Sequence, residues 1–371
     1  MRVLLHETMT GEPVSELEYS AASWSVGVCR ADEVTVEIPG YTGRSWYQFM
    51  VPRKFVMSVI DEERRVLAAG VLGIPEGKSD TDGAHKISFP GTGVESLYER
   101  RHVLPVGYWP LVDATGFPIK ARNTTITGVD YGTIMKRLYM QAMNHEGGHI
   151  PAVFMPDRIG TRERTYLAVD GKPVQDAVQE IAEVVGGVEW DWVPVIDESD
   201  RLTFHLITGT DAEPEITSSF WRAWQSGGDD PDIRGLDFKI SPEFLAQTAI
   251  FMGGKDDDRV MASRRTGSAL VAAGIPLCEV WDTSHTSVSR QSTLDGWAQA
   301  RYEEGQAPIH YWTFDVRAES SNGLRSGDWC TIDVFDHWGI PDGTYERRIV
   351  EVSGSADSDW LGVVVAGEAS W

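Results

Sequence analysis

The order of β-patterned and helix-patterned segments constrains the fold of this chain more than any other feature. Strand-like alternation dominates residues 1–129 and 210–371, and residues 130–209 between them contain the first clear helical periodicity. A length of 371 residues suits two to four domains. The order predicts a mainly β protein with a small α+β middle domain, divided at these boundaries into domains that could be discontinuous in sequence. It indicates a structural assembly rather than an enzyme.

Several elements are distinct enough to predict individually. Apolar residues at helical spacing predict helices, and alternating apolar residues around short polar turns predict hairpins. The predicted helices are Tyr131–Met143, Pro173–Val185 and Ser292–Glu304, and the predicted hairpins join 54–60 to 65–74, 188–196 to 201–207, and 344–352 to 360–366.

The charge balance excludes some functions. The chain has 33 Lys and Arg against 56 Asp and Glu, a formal net charge of −23. Such an acidic surface repels phosphate backbones, so tight nucleic-acid binding is disfavoured. The balance suits either simple solubility or a surface that nucleic acid passes without adhering.

The cysteines and the N-terminus indicate where the chain folds. Cys29, Cys278 and Cys330 are odd in number and widely spaced, so they form neither a disulfide framework nor a paired metal motif. Charged residues interrupt the N-terminus too early for a signal peptide, and no apolar run approaches the length of a membrane span. We therefore expect synthesis and folding in cytoplasm, with no membrane insertion by this chain.

The order of elements resembles one known family, the central hub proteins of phage tail tips and baseplates, also described as tail-associated or minor tail proteins of long-tailed phages of actinobacteria. The resemblance extends over essentially the whole chain as a pattern of elements rather than a single motif. The segments that carry it are WSVGVCRADEVTVEIPG (24–40), RKFVMSVIDEERRVLAAGVLGIPE (53–76), KISFPGTGVESLYERRHV (86–103), VDGKPVQDAVQEIAEVVGGVEWDW (169–192) and PDGTYERRIVEVSG (341–354).

The resemblance implies a fold, a location and partners. Each subunit would contribute two β-barrel domains, 1–129 and 210–371, to a homotrimeric ring that adapts the sixfold tail tube to a central fibre or spike. A distal tail protein would lie above the ring, the fibre or spike below it, and DNA would pass through without specific binding. The protein would act in the virion, at the tail tip, without catalysis or cofactors. Larger family members continue into a peptidoglycan hydrolase or fibre-like extension, so any lytic activity is expected on another protein.

One five-residue string supports a different interpretation. His145-Glu146-Gly147-Gly148-His149 matches the HExxH pattern, in which two imidazoles one helical turn apart bind zinc and the glutamate activates water. Adjacent glycines cost about 1 kcal/mol each relative to alanine inside a helix. The string therefore fits the end of the Tyr131–Met143 helix better, and a zinc hydrolase is kept as the alternative hypothesis.

The tryptophans offer a third interpretation. The chain has 14 of them, and aromatic side chains serve cores, subunit interfaces or carbohydrate platforms. Packing in the core and between subunits is the favoured interpretation of these tryptophans. Trp190 and Trp192 share one face of their predicted strand, which makes that face either core or interface. Trp221 and Trp224, in an acidic connecting segment, are the stronger interface candidates, and a carbohydrate-binding tail protein remains an alternative.

Overall fold

A computed structural model describes residues 1–40, 48–79, 85–184, 186–218, 221–228, 231–256, 259–283, 288, 290–318 and 323–367. Strands hold 45% of the residues and helices 16%, which confirms the predicted mainly β class. Within the described ranges, no helix combines the length and apolar character needed to cross a membrane.

The first part of the chain is a set of antiparallel strands. The predicted hairpin at 54–60 and 65–74 is confirmed as β5 paired with β6. All six residues of β5 are buried, which is the pattern of a central strand covered on both faces. A 3₁₀ helix, Val94–Arg100, follows these strands. The strands are β1 Arg2–Glu7, β2 Pro13–Glu16, β3 Ala21–Val26, β4 Glu33–Pro39, β5 Phe55–Ile60, β6 Val66–Leu72, β7 Glu76–Ser79 and β8 His85–Thr92.

The middle part is an α+β unit. The Asp130 carboxylate accepts a hydrogen bond from the Thr133 amide at 2.8 Å and so caps the first helix. The hairpin predicted at 188–196 and 201–207 is confirmed. The second helix ends at Ala182, and Val185, the predicted end, lies outside the described residues. The elements are β9 Thr124–Val129, α1 Tyr131–Met143, β10 Ala152–Phe154, β11 Ile159–Tyr166, α2 Val174–Ala182, β12 Trp190–Ile196 and β13 Leu202–Thr208.

The last part alternates strands with two helices. The helix predicted at 292–304 is confirmed as α4, and the hairpin predicted at 344–352 and 360–366 as β21 with β22. The elements are β14 Arg222–Ser226, β15 Ile233–Ser241, β16 Thr248–Asp256, β17 Arg259–Thr266, α3 Ala269–Ala272, β18 Glu279–Asp282, α4 Gln291–Glu304, β19 Ile309–Arg317, β20 Trp329–Val334, β21 Gly343–Ser355 and β22 Trp360–Ala366.

One sheet joins the two ends of the chain. Among the described residues it has fourteen strands, ordered β15-β19-β22-β21-β3-β4-β8-β6-β5-β1-β2, with β14, β20 and β7 attached at its sides. The joint is the antiparallel pair β3 and β21, in which Val26 lies opposite Val352 and Ser23 opposite Ser355. The described strands trace no closed ring, so the two barrels stay a prediction.

The division of the chain into three domains also stays a prediction. The topology indicates that such domains would be discontinuous in sequence. The sheet crosses from the 1–129 range into the 210–371 range. The unit formed by β16, β17, β18 and α4 instead shares a core with the middle part, since Phe251 and Trp297 are buried in the same cluster as Ile181. The Trp297 indole donates a 2.9 Å hydrogen bond to the Glu180 carbonyl, which fastens α4 to α2.

Candidate assembly surfaces

The HEGGH string lies in a turn that follows α1. The helix ends at Met143, and Gly147 adopts a left-handed φ of +72°, so His145 and His149 do not face one another across a helical turn. His145 Nε2 lies 2.8 Å from the Leu104 carbonyl oxygen. A nitrogen that donates to a carbonyl carries its proton and has no lone pair for zinc. The zincin geometry predicted by the alternative hypothesis is therefore wrong for this string.

The string instead holds a neighbouring segment in place. The His145 ring packs 6.0 Å from the Tyr108 ring, and the Gly148 carbonyl accepts a 2.7 Å hydrogen bond from Arg101. Within the described ranges, no group of three or more His, Cys, Asp or Glu side chains is arranged to bind a metal ion.

We expect the purified chain to bind zinc no better than a His149→Ala variant, because the two histidines make no shared site. Equilibrium dialysis followed by metal analysis measures this directly. A stoichiometric zinc ion that is lost in the His149→Ala variant would contradict the assignment, and a Glu198→Ala variant serves as an exposed control.

Two of the four predicted interface tryptophans are core residues of this chain. The side chains of Trp190 and Trp192 are 1% and 2% exposed. Trp192 packs between the rings of Tyr98 and Tyr139, with centroids 6.1 and 5.0 Å away. Of the two possibilities that the sequence left open for this strand face, core or interface, the structure shows the first: the face covers α1 and is buried by its own chain, so the two tryptophans are not interface candidates.

The other two tryptophans differ from each other. Trp224 is 5% exposed and packs against Phe314, with ring centroids 5.5 Å apart, so it too is a core residue rather than an interface residue. Trp221 is 55% exposed, and its indole nitrogen donates a 2.7 Å hydrogen bond to Thr331. Trp221 alone of the four stays an interface candidate.

Residues 104–120, which we call the arm, expose the apolar surface that the sequence analysis missed. Val106, Trp109 and Phe117 are 62%, 74% and 69% exposed. The available signal was an apolar run interrupted by Pro105, Pro110, Pro118 and two glycines. Such punctuation excludes helix and central strand and therefore leaves apolar residues on a loop.

The arm is ordered by its own hydrogen bonds. Asp113 and Phe117 are joined through their backbones at 2.8 Å, and the Asp113 carboxylate accepts from the Thr115 amide, also at 2.8 Å. The Thr115 hydroxyl and backbone amides lower the pKa of Asp113, so the tip of the arm carries a negative charge. A preformed, exposed and apolar element is typical of a protein-binding surface.

Two carboxylates are enclosed where the first strands meet the middle unit, and the half-buried Asp191 lies near them. Asp32 and Glu95 are 7% and 4% exposed. Burial, reinforced by their mutual repulsion and the nearby Asp191, raises the pKa of Asp32 well above its usual value. Burial likewise raises the pKa of Glu95 to about 8 and that of Asp191 to about 7. A Cβ at Gly93 would lie 2.8 Å from the backbone nitrogen of Asp32, and 2.2 Å from Glu95 Oε2, so this packing requires glycine there.

Among the potential nucleophiles, Ser58 and Cys330 are buried and Cys29 is half-buried. His6 Nε2 lies 2.7 Å from the Ser58 hydroxyl, but both residues are 0% exposed and no substrate reaches them. Burial lowers the pKa of His6 to about 4 and keeps the imidazole neutral. Burial also raises the pKa of the Cys29 and Cys330 thiols to about 12, which disfavours reactive thiolates.

Comparison with known proteins identifies the fold. No protein-family model matches the chain, and no curated protein sequence matches it. Among solved structures, the tail protein from Neisseria meningitidis MC58 has a TM-score of 0.57 at 11% identity, covering 99% of this chain and 97% of that one. The 43 kDa tail protein of prophage MuSo2 from Shewanella oneidensis has a TM-score of 0.55 at 10% identity, covering 99% and 98%.

A third structure also matches the whole length of this chain. It is an Escherichia coli protein, described as a component of the type VI secretion system with structural similarity to the T4 bacteriophage tail proteins gp27 and gp5. Its TM-score is 0.51 at 10% identity, and the match covers 100% of this chain and 77% of that one. The chain therefore has the fold of phage tail proteins, as its resemblance to tail-tip hubs predicted.

Proposed function

We propose that this chain is a structural component of a phage tail tip, located in the virion, and that it performs no chemical step. The observation that carries the proposal is the end-to-end match with two tail proteins, at TM-scores of 0.57 and 0.55 over 97% and 98% of their lengths. The fully buried positions of Ser58, His6 and Cys330 support a role without catalysis.

The proposal includes a specific place in the tail tip. Three copies form a central hub that closes the distal end of the tail tube, with a distal tail protein above and a fibre or spike below. Strands from both ends of the chain belong to one sheet, which suits a subunit that must transmit load without opening. The net charge of −23 suits a ring through which DNA slides without binding.

Electron microscopy of isolated tail tips tests this proposal. We expect a threefold ring at the distal end of the tube, with density that fits three copies of this fold around a central opening. Antibody labelling against this chain provides the control for its position. A single copy per tail tip, or labelling confined to the head, would contradict the proposed function.

A further inference from the structure

A turn of the first part of the chain is fastened to the middle unit beside the enclosed carboxylates. Residues 27–32 connect β3 to β4, and Cys29 within this turn adopts a left-handed φ of +57°. The Cys29 amide donates a 3.1 Å hydrogen bond to the Trp190 carbonyl on β12. In return, the Trp190 amide donates to Cys29 Sγ at 3.4 Å. The turn is therefore held against the edge of β12.

The same turn carries one of the two enclosed carboxylates and touches the other. The Asp32 carbonyl accepts a 2.7 Å hydrogen bond from the Gly93 amide, directly before the 3₁₀ helix. Glu95 Oε2 and the Asp32 backbone nitrogen both lie against Gly93, so the Glu95 carboxylate reaches the turn. Oε2 is buried, and no described residue donates a hydrogen bond to it. A negative charge on this oxygen would therefore be costly.

Two arginines near the cluster are engaged with other carboxylates. Arg30 pairs with Glu351 at 2.6 Å, and Arg348 donates to both carboxylate oxygens of Glu189. Ionisation of the cluster would therefore add negative charge where these two cations are already neutralised. The groups that face the cluster from neighbouring elements are the charged Arg30, Glu99, Glu189, Arg325 and Arg348, and Cys29, Tyr98 and Tyr139, which stay neutral because burial raises the pKa of each.

The two sides of this contact differ in how firmly they are anchored. The 3₁₀ helix is held by Val94, Leu97 and Tyr98, which are buried in the core that the first strands share with the middle unit. Residues 28–31 of the turn are only half-buried. A segment with little buried apolar surface opens at a lower free energy than a segment of the core. The turn is therefore the side that yields.

We propose that the 27–32 turn is a latch between the first strands and the middle unit, and that it opens as the pH rises. The latch is closed while Asp32, Glu95 and Asp191 are protonated, and it lifts away from β12 as they ionise and repel one another. The proposal does not depend on the tail-tip role, and neither falls with the other.

The pH range of the latch follows from the shifted carboxyls. Burial raises the pKa of Glu95 to about 8 and that of Asp191 to about 7, and an open turn would return both to the ordinary carboxyl range. The free energy that holds the turn closed is therefore fully present below that ordinary range. It is lost as the pH rises to about 8.

Hydrogen exchange followed by mass spectrometry tests the latch in the full-length chain. From pH 6 to pH 8, after correction for intrinsic exchange, we expect protection of the turn amides to fall roughly tenfold to a hundredfold, as linkage to these carboxyls requires. Low urea concentrations should leave exchange in the turn unchanged and accelerate exchange in β5, because only β5 needs global unfolding to exchange. The Asp113 amide is the internal control, since the lowered pKa of its own carboxyl keeps that group ionised at both pH values.

Two variants test the carboxyls separately, so the result does not depend on the folding of either one alone. Glu95→Gln and Asp191→Asn should each make the fall in protection smaller, and Glu18→Gln, at an exposed position, should leave it unchanged. The same fall in the natural chain and in both carboxyl variants would overturn the proposal. A turn whose exchange rises with urea in parallel with β5 would also overturn it, because the turn would then open only when the whole chain unfolds.

Discussion

The Glu95→Gln variant is expected to be more stable than the natural chain at alkaline pH, by up to about 5 kcal/mol above pH 8. Burial raises the pKa of Glu95 from 4.5 to about 8. The unfolded chain therefore loses this proton near pH 4.5, while the folded chain keeps it until about pH 8. Stability from this group is present at low pH and is lost as the pH rises through that window. Glutamine cannot ionise and removes the loss.

Urea unfolding at pH 5 and pH 9 measures the effect. The difference in unfolding free energy between the two pH values should be smaller in the variant than in the natural chain. The unfolding free energy of the variant still depends on pH, because Asp32 and Asp191 titrate. Arg30 and Glu99 are the nearby charges. Glu18→Gln is the control, since it removes the same charge from an exposed position that takes no part in the shift of Glu95. Parallel pH profiles for Glu95→Gln and the natural chain would show that the enclosed carboxylates are solvated.

The Asp130→Ala variant is expected to lose about 3 kcal/mol or more of unfolding free energy. The Asp130 side chain is 5% exposed, caps α1 through the Thr133 amide, and lies 2.5 Å from Arg158 Nε. Removing it leaves a partly buried guanidinium whose remaining bonds reach Thr208 and Gly209. Thermal and denaturant unfolding measure the loss.

Two further variants separate the causes. Asp130→Asn keeps a good cap and removes the charge, so it isolates the ion pair. Asp157→Ala removes a comparable carboxylate, bonded to Lys136 and Arg137 but 43% exposed, and should cost less than about 1 kcal/mol. If Asp130→Ala and Asp157→Ala lost the same unfolding free energy, burial of the ion pair between Asp130 and Arg158 would contribute nothing to stability.

The local elements were predictable because their signals are local. The periodicity of residues 131–143 and the alternation on either side of Asp61 depend only on neighbours in sequence, and both elements form as expected. The pairing of β3 with β21 was not predictable, because no short-range pattern specifies a partner about three hundred residues away. Strand β17, which is rich in arginine, lacks the apolar alternation that marks a strand.

The candidate site was harder to predict for a related reason. A tryptophan on a strand fits a core and an interface equally well, and the choice depends on what packs above it. Trp192 is buried because α1 brings Tyr139 over its ring, a contact that only the tertiary fold supplies. The exposure of Trp109 and Phe117 also depends on the tertiary fold. Their segment forms no helix or long strand, so it has no regular apolar face that could pack against the core.

The pairing of β3 with β21 also has a consequence for synthesis on the ribosome. Strand β3 emerges early, but its partner strand β21, in which Val352 lies opposite Val26, follows more than three hundred residues later. The edge of β3 therefore stays unpaired through most of translation. Unpaired edges recruit other strands and favour aggregation. An interrupted product lacking β21 keeps that edge open and cannot complete the sheet. The pairing of β3 with β21 therefore closes this edge only once nearly the whole chain has been synthesised.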